Sequence, residues 1–153
     1  MFEKKKLQNA IQSDERFKNA KTFSKLNAPI SISEEGYIGV VDPKTKKPRI
    51  VHIKDVNSFE IVVDGKNVAN LGGAIAGGLL FGGIGAIIGG SASKEKITKM
   101  NLLLKVNDFN NPTLDIPLVQ FEIKKGTNTY NYVQKEIQEI MATLEFIEKK
   151  AKE

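Results

Sequence analysis

Between residues 29 and 119 the apolar positions form short runs that are separated by turn residues. Runs rich in Ile, Val, Tyr and Phe, with Gly, Pro, Asn or Asp between them, are typical of antiparallel strands joined by tight turns. The pattern predicts six or seven strands, of which six are located at residues 30–33, 37–41, 49–54, 58–63, 99–107 and 114–119. Pro117 puts the last of these strands at a sheet edge or a bulge, because proline donates no ladder hydrogen bond.

The end of the chain has a helical period instead. One apolar stripe predicts a helix over residues 128–151, and polar residues fill its other faces. The stripe has to be buried, so we expect this helix to cover the open end of the β structure. A coiled-coil partner is the less favoured alternative, because about three heptads is near the lower limit for one. The stripe consists of Tyr130, Val133, Ile137, Ile140, Leu144 and Ile147.

Residues 71–90 are uncharged and contain nine glycines. Glycine costs about 1 kcal/mol relative to alanine in a helix, so this composition indicates that close packing of helices offsets the loss. Small residues four apart let two helices touch backbone to backbone. A flexible linker is less favoured, since linkers are polar and Gly/Ser-rich. The predicted packing contacts are Gly73, Gly77, Gly78, Gly82, Gly85 and Gly89, together with Leu79, Leu80 and Phe81.

The glycine-rich segment is too short to cross a bilayer twice. About 20 helical residues measure roughly 30 Å, one hydrocarbon thickness. If the strands before and after the segment share one core, a single crossing would separate them. We therefore expect a glycine-rich helical hairpin inserted at residues 71–92. It either dips into one leaflet, lies on the domain, or is buried between subunits, and burial against protein is slightly favoured over membrane insertion.

Charge is concentrated in the first part of the chain. The chain has 153 residues and a net charge of +5, and residues 1–26 hold seven Lys or Arg against three acids. We predict a basic, helical leader at 1–27 followed by one domain at 28–153. The leader either packs on the domain, which is favoured, or lies on anionic lipid. No secretory signal is visible, so we expect a cytoplasmic protein that is either free of the membrane or peripheral to, or dipping into, its inner face.

Few residues suggest chemistry. The chain has no cysteine and one histidine, which argues against a disulfide framework, a zinc ribbon or any metal or cofactor. His52, Asp42 and Asp55 do not amount to a general-base group, because no turn motif positions a nucleophile. We therefore predict no catalysis. The glycine run lacks the lysine of a phosphate loop.

One cationic cluster is a candidate anion site. Lys44, Lys46, Lys47 and Arg49 lie within six residues at a predicted hairpin tip, where they can attract phospholipid headgroups. An ordinary solvated hairpin tip has the same composition and is the more favoured alternative. Nucleic acid is a weaker option, because no aromatic residues interleave with the cations.

The element order is that of an α+β, pleckstrin-homology-like (PH-like) domain: a curled antiparallel sheet capped by a C-terminal amphipathic helix. The segments ISISEEGYIGVVD, DVNSFEIVVDGK, GGLLFGGIGAIIGG and LLLKVNDFNNPTLDIPLV, with the final helix, resemble a family of small proteins of Gram-positive bacteria and their prophages. The resemblance implies a PH-like core with a glycine-rich insertion after a strand, and it implies no enzymatic activity. Relatives often carry an N-terminal zinc ribbon, whereas this chain has a basic leader.

Two functions follow from this sequence. The first is a non-enzymatic PH-like scaffold that self-associates, or contacts an anionic membrane, through its glycine-rich hairpin. The alternative is an intracellular, prophage-encoded protein that binds a host protein, with the glycine-rich segment as an internal or subunit seam. The expected partners are accordingly a second copy of the chain or another protein.

Overall fold

The computed structural model describes residues 2–72 and 96–152, which form an α+β fold with antiparallel sheets and a C-terminal helix. The strands of the first sheet are β1 (Ala20–Phe23), β2 (Ile30–Ser33), β3 (Tyr37–Val41) and β4 (Pro48–His52). They lie side by side in the order β1-β2-β3-β4. Gly36 has a φ of 101° in the turn between β2 and β3, a conformation that favours glycine.

The second four-stranded sheet consists of β5 (Val56–Val63), β6 (Lys66–Gly72), β8 (Met100–Val106) and β9 (Thr113–Val119). These strands lie side by side in the order β6-β5-β8-β9. Two short strands, β7 (Lys96–Ile97) and β10 (Ile123–Lys124), pair separately. Pro117 lies on the edge strand β9, beside a shift of register opposite Met100 and Asn101, so the predicted edge and bulge are both confirmed.

The C-terminal helix α2 (Asn128–Lys152) covers both sheets with its apolar stripe. The hydroxyl of Thr127 accepts the amide of Tyr130 at 3.2 Å and so caps its first turn. The predicted burial of the stripe is confirmed. One core cluster joins it to inward-facing residues of both sheets, which include Ile32, Ile61, Leu104 and Ile116.

The leader packs on the outer face of the first sheet. Helix α1 (Phe2–Ser13) is followed by one 3₁₀ turn (Glu15–Phe17). Ile11 and Phe17 are buried, and a Cβ built on Gly39 of β3 would lie 2.7 Å from an atom of each. A Cβ at this position would force one or both of these side chains to shift. These contacts support the favoured alternative of a leader helix that packs on the domain.

Two sequence-based expectations about strands are wrong. The described residues contain ten strand segments rather than six or seven. Residues 20–23 form β1 instead of continuing the leader helix, because Asp14 ends the helix and caps the 3₁₀ turn. The strand predicted at residues 58–63 ends at Val63, as expected; Asp64 and Gly65, with φ values of 50° and 82°, then form a hairpin turn into β6, which the sequence pattern did not locate. The domain boundary at residue 27 stays a prediction, and the insertion at 71–92 lies mostly outside the described residues.

We predict that Gly39→Ala displaces the leader and lowers the free energy of unfolding by about 1–3 kcal/mol, because the new methyl group overlaps Ile11 and Phe17. Urea denaturation measures this cost. In the Gly39→Ala background, Phe17→Ala should cost less than it does in the natural chain, since its packing is already lost. Equal costs of Phe17→Ala in the two backgrounds would contradict this packing.

Candidate functional site

The glycine-rich segment is attached at both ends to strands of the described fold. It follows β6, which pairs with β5, and it precedes β7, which pairs with β10. One Asp64 carboxylate oxygen accepts the amides of Thr98 and Lys99 at 3.0 and 2.8 Å, and also the Thr98 hydroxyl. The amide of Asp64 donates in turn to the carbonyl of Lys99. The chain that returns from the segment is therefore fixed to the β5–β6 turn.

The two attachment points lie at opposite ends of β5. Gly72, at the end of β6, pairs with Ser58, whereas the returning chain bonds to Asp64. Six residues of strand between these points correspond to about 20 Å. The predicted contact residues within the segment lie outside the described residues, as does the predicted hairpin: Gly73, Gly77, Gly78, Gly82, Gly85, Gly89, Leu79, Leu80 and Phe81.

The basic hairpin tip joins β3 to β4. Asp42 is buried, and its carboxylate accepts the amide of Lys44 at 2.8 Å. Lys46 has a φ of 60°, which turns the chain back toward β4. Lys44, Lys46 and Lys47 are all exposed. The turn thus presents three cations on a backbone that Asp42 holds in place.

Arg49 is turned away from these lysines. Its guanidinium donates to the carbonyl oxygens of Thr113 and Asn111 at 2.6 and 2.5 Å, and it lies 4.0 Å from the Asp42 carboxylate. Its side chain is only 13% exposed. Arg49 therefore ties the β3–β4 hairpin to the β8–β9 loop and to the first residue of β9, and the exposed cations of the predicted anion site are the three lysines.

His52 serves the backbone. Its Nδ1 accepts the amide of Lys54 at 3.1 Å, so Nε2 carries the proton and donates to the carbonyl oxygen of Glu35 at 2.9 Å. Its ring meets the ring of Tyr37 edge-on at a centroid distance of 4.8 Å. Asp55 is exposed, at the end of the next short 3₁₀ turn (Ile53–Asp55). The contacts of His52 are therefore structural and use both of its ring nitrogens.

A cleft of about 570 Å³ lies between the edge of β4 and the β8–β9 loop. Arg16 lines it, stacks 5.7 Å from the Tyr37 ring centroid, and pairs with Asp14 at 2.8 Å. Hydrogen bonds from the Arg16 side chain and amide lower the pKa of Asp14 to about 2. The exposed Phe109 forms its rim. Sequence patterns did not find this cleft, because it depends on how β4 and a distant loop meet.

Two further observations concern the described residues. Within residues 2–72 and 96–152, no helix has both the length and the apolar character that a membrane crossing needs. In the same ranges, no three potential metal-ligating side chains come together.

The two sheets, the capping helix and the anchored glycine-rich insertion define a PH-like interaction domain. A family model described as a glycine zipper containing PH domain matches residues 2–120. The chain belongs to this family, which confirms the expected PH-like core with a glycine-rich element. The matched range includes the leader, both four-stranded sheets and the glycine-rich segment. No curated protein and no solved structure is significantly similar to the chain.

We predict that Arg49→Met lowers the free energy of unfolding by about 2–4 kcal/mol, since two carbonyl groups and the buried Asp42 lose their charged partner. Urea denaturation measures the change. Lys47→Met, which removes an exposed cation from the same hairpin, is the matched control and should change stability little. Equal effects of the two variants would contradict the bridging role of Arg49.

We also predict that the pKa of the Asp14 carboxyl group is about 2 in the folded chain, below its ordinary value of 3.8. The folded-state pKa is depressed, so the stabilising contribution of the carboxylate is present above pH 3.8 and is lost as the pH falls through about 2. Carboxyl-carbon NMR follows this titration. Arg16→Gln should raise the pKa, whereas Glu15→Gln should not; a natural midpoint near 3.8 would contradict the pairing.

Proposed function

We propose that this protein is a non-enzymatic, PH-like scaffold that associates with copies of itself through the glycine-rich segment at residues 71–90, which we call the zipper. PH-like domains are generally non-catalytic scaffolds. The observation that carries the proposal is that the strands on both sides of the zipper, β6 and β7, are paired in the described fold. The zipper is thus an insertion with fixed attachment points in a domain built for interaction.

The composition of the zipper supports self-association. Three pairs of glycines stand four residues apart, and this spacing lets helices approach closely enough for dispersion and Cα–H···O contacts. A second copy supplies the matching small-residue surface without any other partner. The charged residues nearest the segment are Lys66 before it and Lys94 after it, so no ion pair inside it competes with this packing.

Membrane contact is a second candidate role for the zipper, and the exposed basic tip favours it. None of the ion pairs between described residues involves Lys44, Lys46 or Lys47. Each cation near an anionic surface contributes about 1 kcal/mol of attraction. In this role the lysines orient the domain on lipid while the zipper enters one leaflet.

We predict that Gly77→Leu with Gly82→Leu disrupts assembly or solubility, because two large side chains prevent close approach. Light scattering and membrane fractionation, without and with detergent, measure the result. The small pair Gly77→Ala with Gly82→Ala should retain assembly, and Lys46→Ala with Lys47→Ala should leave both assembly and solubility intact.

The natural chain separates the two roles of the zipper. A soluble species of defined mass above the monomer supports self-association, and recovery in a membrane pellet that only detergent releases supports lipid contact. If the leucine pair changes neither oligomer size nor partitioning, the packing role of the zipper is wrong.

A further inference from the structure

A groove of about 400 Å³ lies between β1 and the second half of α2. The buried side chains of Ile32 and Ile147 line it, and Phe146, which is 56% exposed, stands at its helical side. Lys21 lines the β1 side. The groove shares no lining residue with the cleft beside β4 or with the basic hairpin tip. It therefore offers a separate, largely apolar surface.

The β1 side of this groove is a free strand edge. Within the described residues, β1 pairs only with β2. The amide of Glu34 donates to the carbonyl of Asn19, which makes these residues a hydrogen-bonded pair. Because such pairs alternate along an antiparallel ladder, Ala20 and Thr22 direct their N–H and C=O groups away from β2. The 3.0 Å contact between the Thr22 and Ser31 hydroxyls fits a non-hydrogen-bonded pair.

The charges around this edge are mainly positive. Lys18, Lys21 and Lys25 are exposed along β1 and at its two ends. The acidic residue that lines the groove, Glu34, lies 3.5 Å from the Lys150 ammonium group. An occupant that carries carboxylates is therefore electrostatically complementary to this surface.

We infer that the groove binds an extended, acidic segment of a partner protein, which adds a strand to the free edge of β1. Its backbone bonds to the outward groups of Ala20 and Thr22, as in other cases of strand addition. Side chains alternate between the two faces of the added strand, so an apolar one enters the groove beside Phe146. Carboxylates that flank it meet the lysines. This site is independent of the zipper.

The first test measures fluorescence polarisation of two labelled nonapeptides with the full-length protein. One peptide alternates valine with glutamate and the other alternates valine with lysine. The glutamate peptide should bind at least about fivefold more tightly, and its affinity should fall as salt is added. Equal affinities, or no binding of the glutamate peptide, would overturn the proposal.

The second test removes one outward donor. Thr22→Pro deletes an N–H that the β1–β2 ladder does not use, and it should weaken binding of the glutamate peptide about fivefold. Thr22→Val loses the hydroxyl but keeps the N–H, so it should bind as the natural chain does. Unchanged affinity of a folded Thr22→Pro variant would refute strand addition.

A charge reversal tests the same site without altering the backbone. Lys21→Glu should reduce the preference for the glutamate peptide, whereas Lys135→Glu on the exposed face of α2 makes the same net change and should not. Amide shifts on binding should centre on Ala20 and Thr22, and shifts centred elsewhere would contradict the site. The leucine pair in the zipper should leave peptide affinity unchanged, which separates this proposal from that of self-association.

Discussion

The fold depends on β5, the strand that joins the chain before the glycine-rich segment to the chain after it. β5 pairs with β6 on one side and with β8 on the other. Its inward residues Phe59, Ile61 and Val63 are buried in the common core. Because these two pairings share one strand, both ends of the zipper must return to one sheet. The domain therefore fixes both ends of the zipper at the second sheet, and a partner bound by the zipper would lie near that sheet.

The sequence predicted the elements whose side-chain period is strong. The stripe of α2 repeats over several turns, and its buried positions follow from that period alone. Pro117 likewise predicted the edge strand and the bulge, because proline has no N–H and is tolerated at few positions in a sheet. The family assignment agrees with the motif order. These features are local, so one segment of sequence contains all the information they need.

Features that depend on distant contacts were missed. Residues 20–23 show no marked alternation of apolar and polar side chains, and they form β1 because they pair with β2. Arg49 looks like one more cation of a basic tip, yet the carbonyls that it binds belong to Asn111 and Thr113, more than 60 residues away. The packing role of Gly39 could not be predicted from its own segment either, because it depends on contacts with Ile11 and Phe17 of the leader.

Several polar side chains at the described turns hydrogen-bond to the backbone, so their first role is to stabilise those turns. Asp42, Asp64 and His52 each accept backbone amides near their own turns or from a neighbouring loop. These hydrogen bonds give the three side chains a structural role at their turns. The features on which our proposals rest are the open edge of β1, the exposed lysines and the glycine-rich segment. All three suit binding through shape, backbone and charge, and they support the proposed role in assembly and interaction.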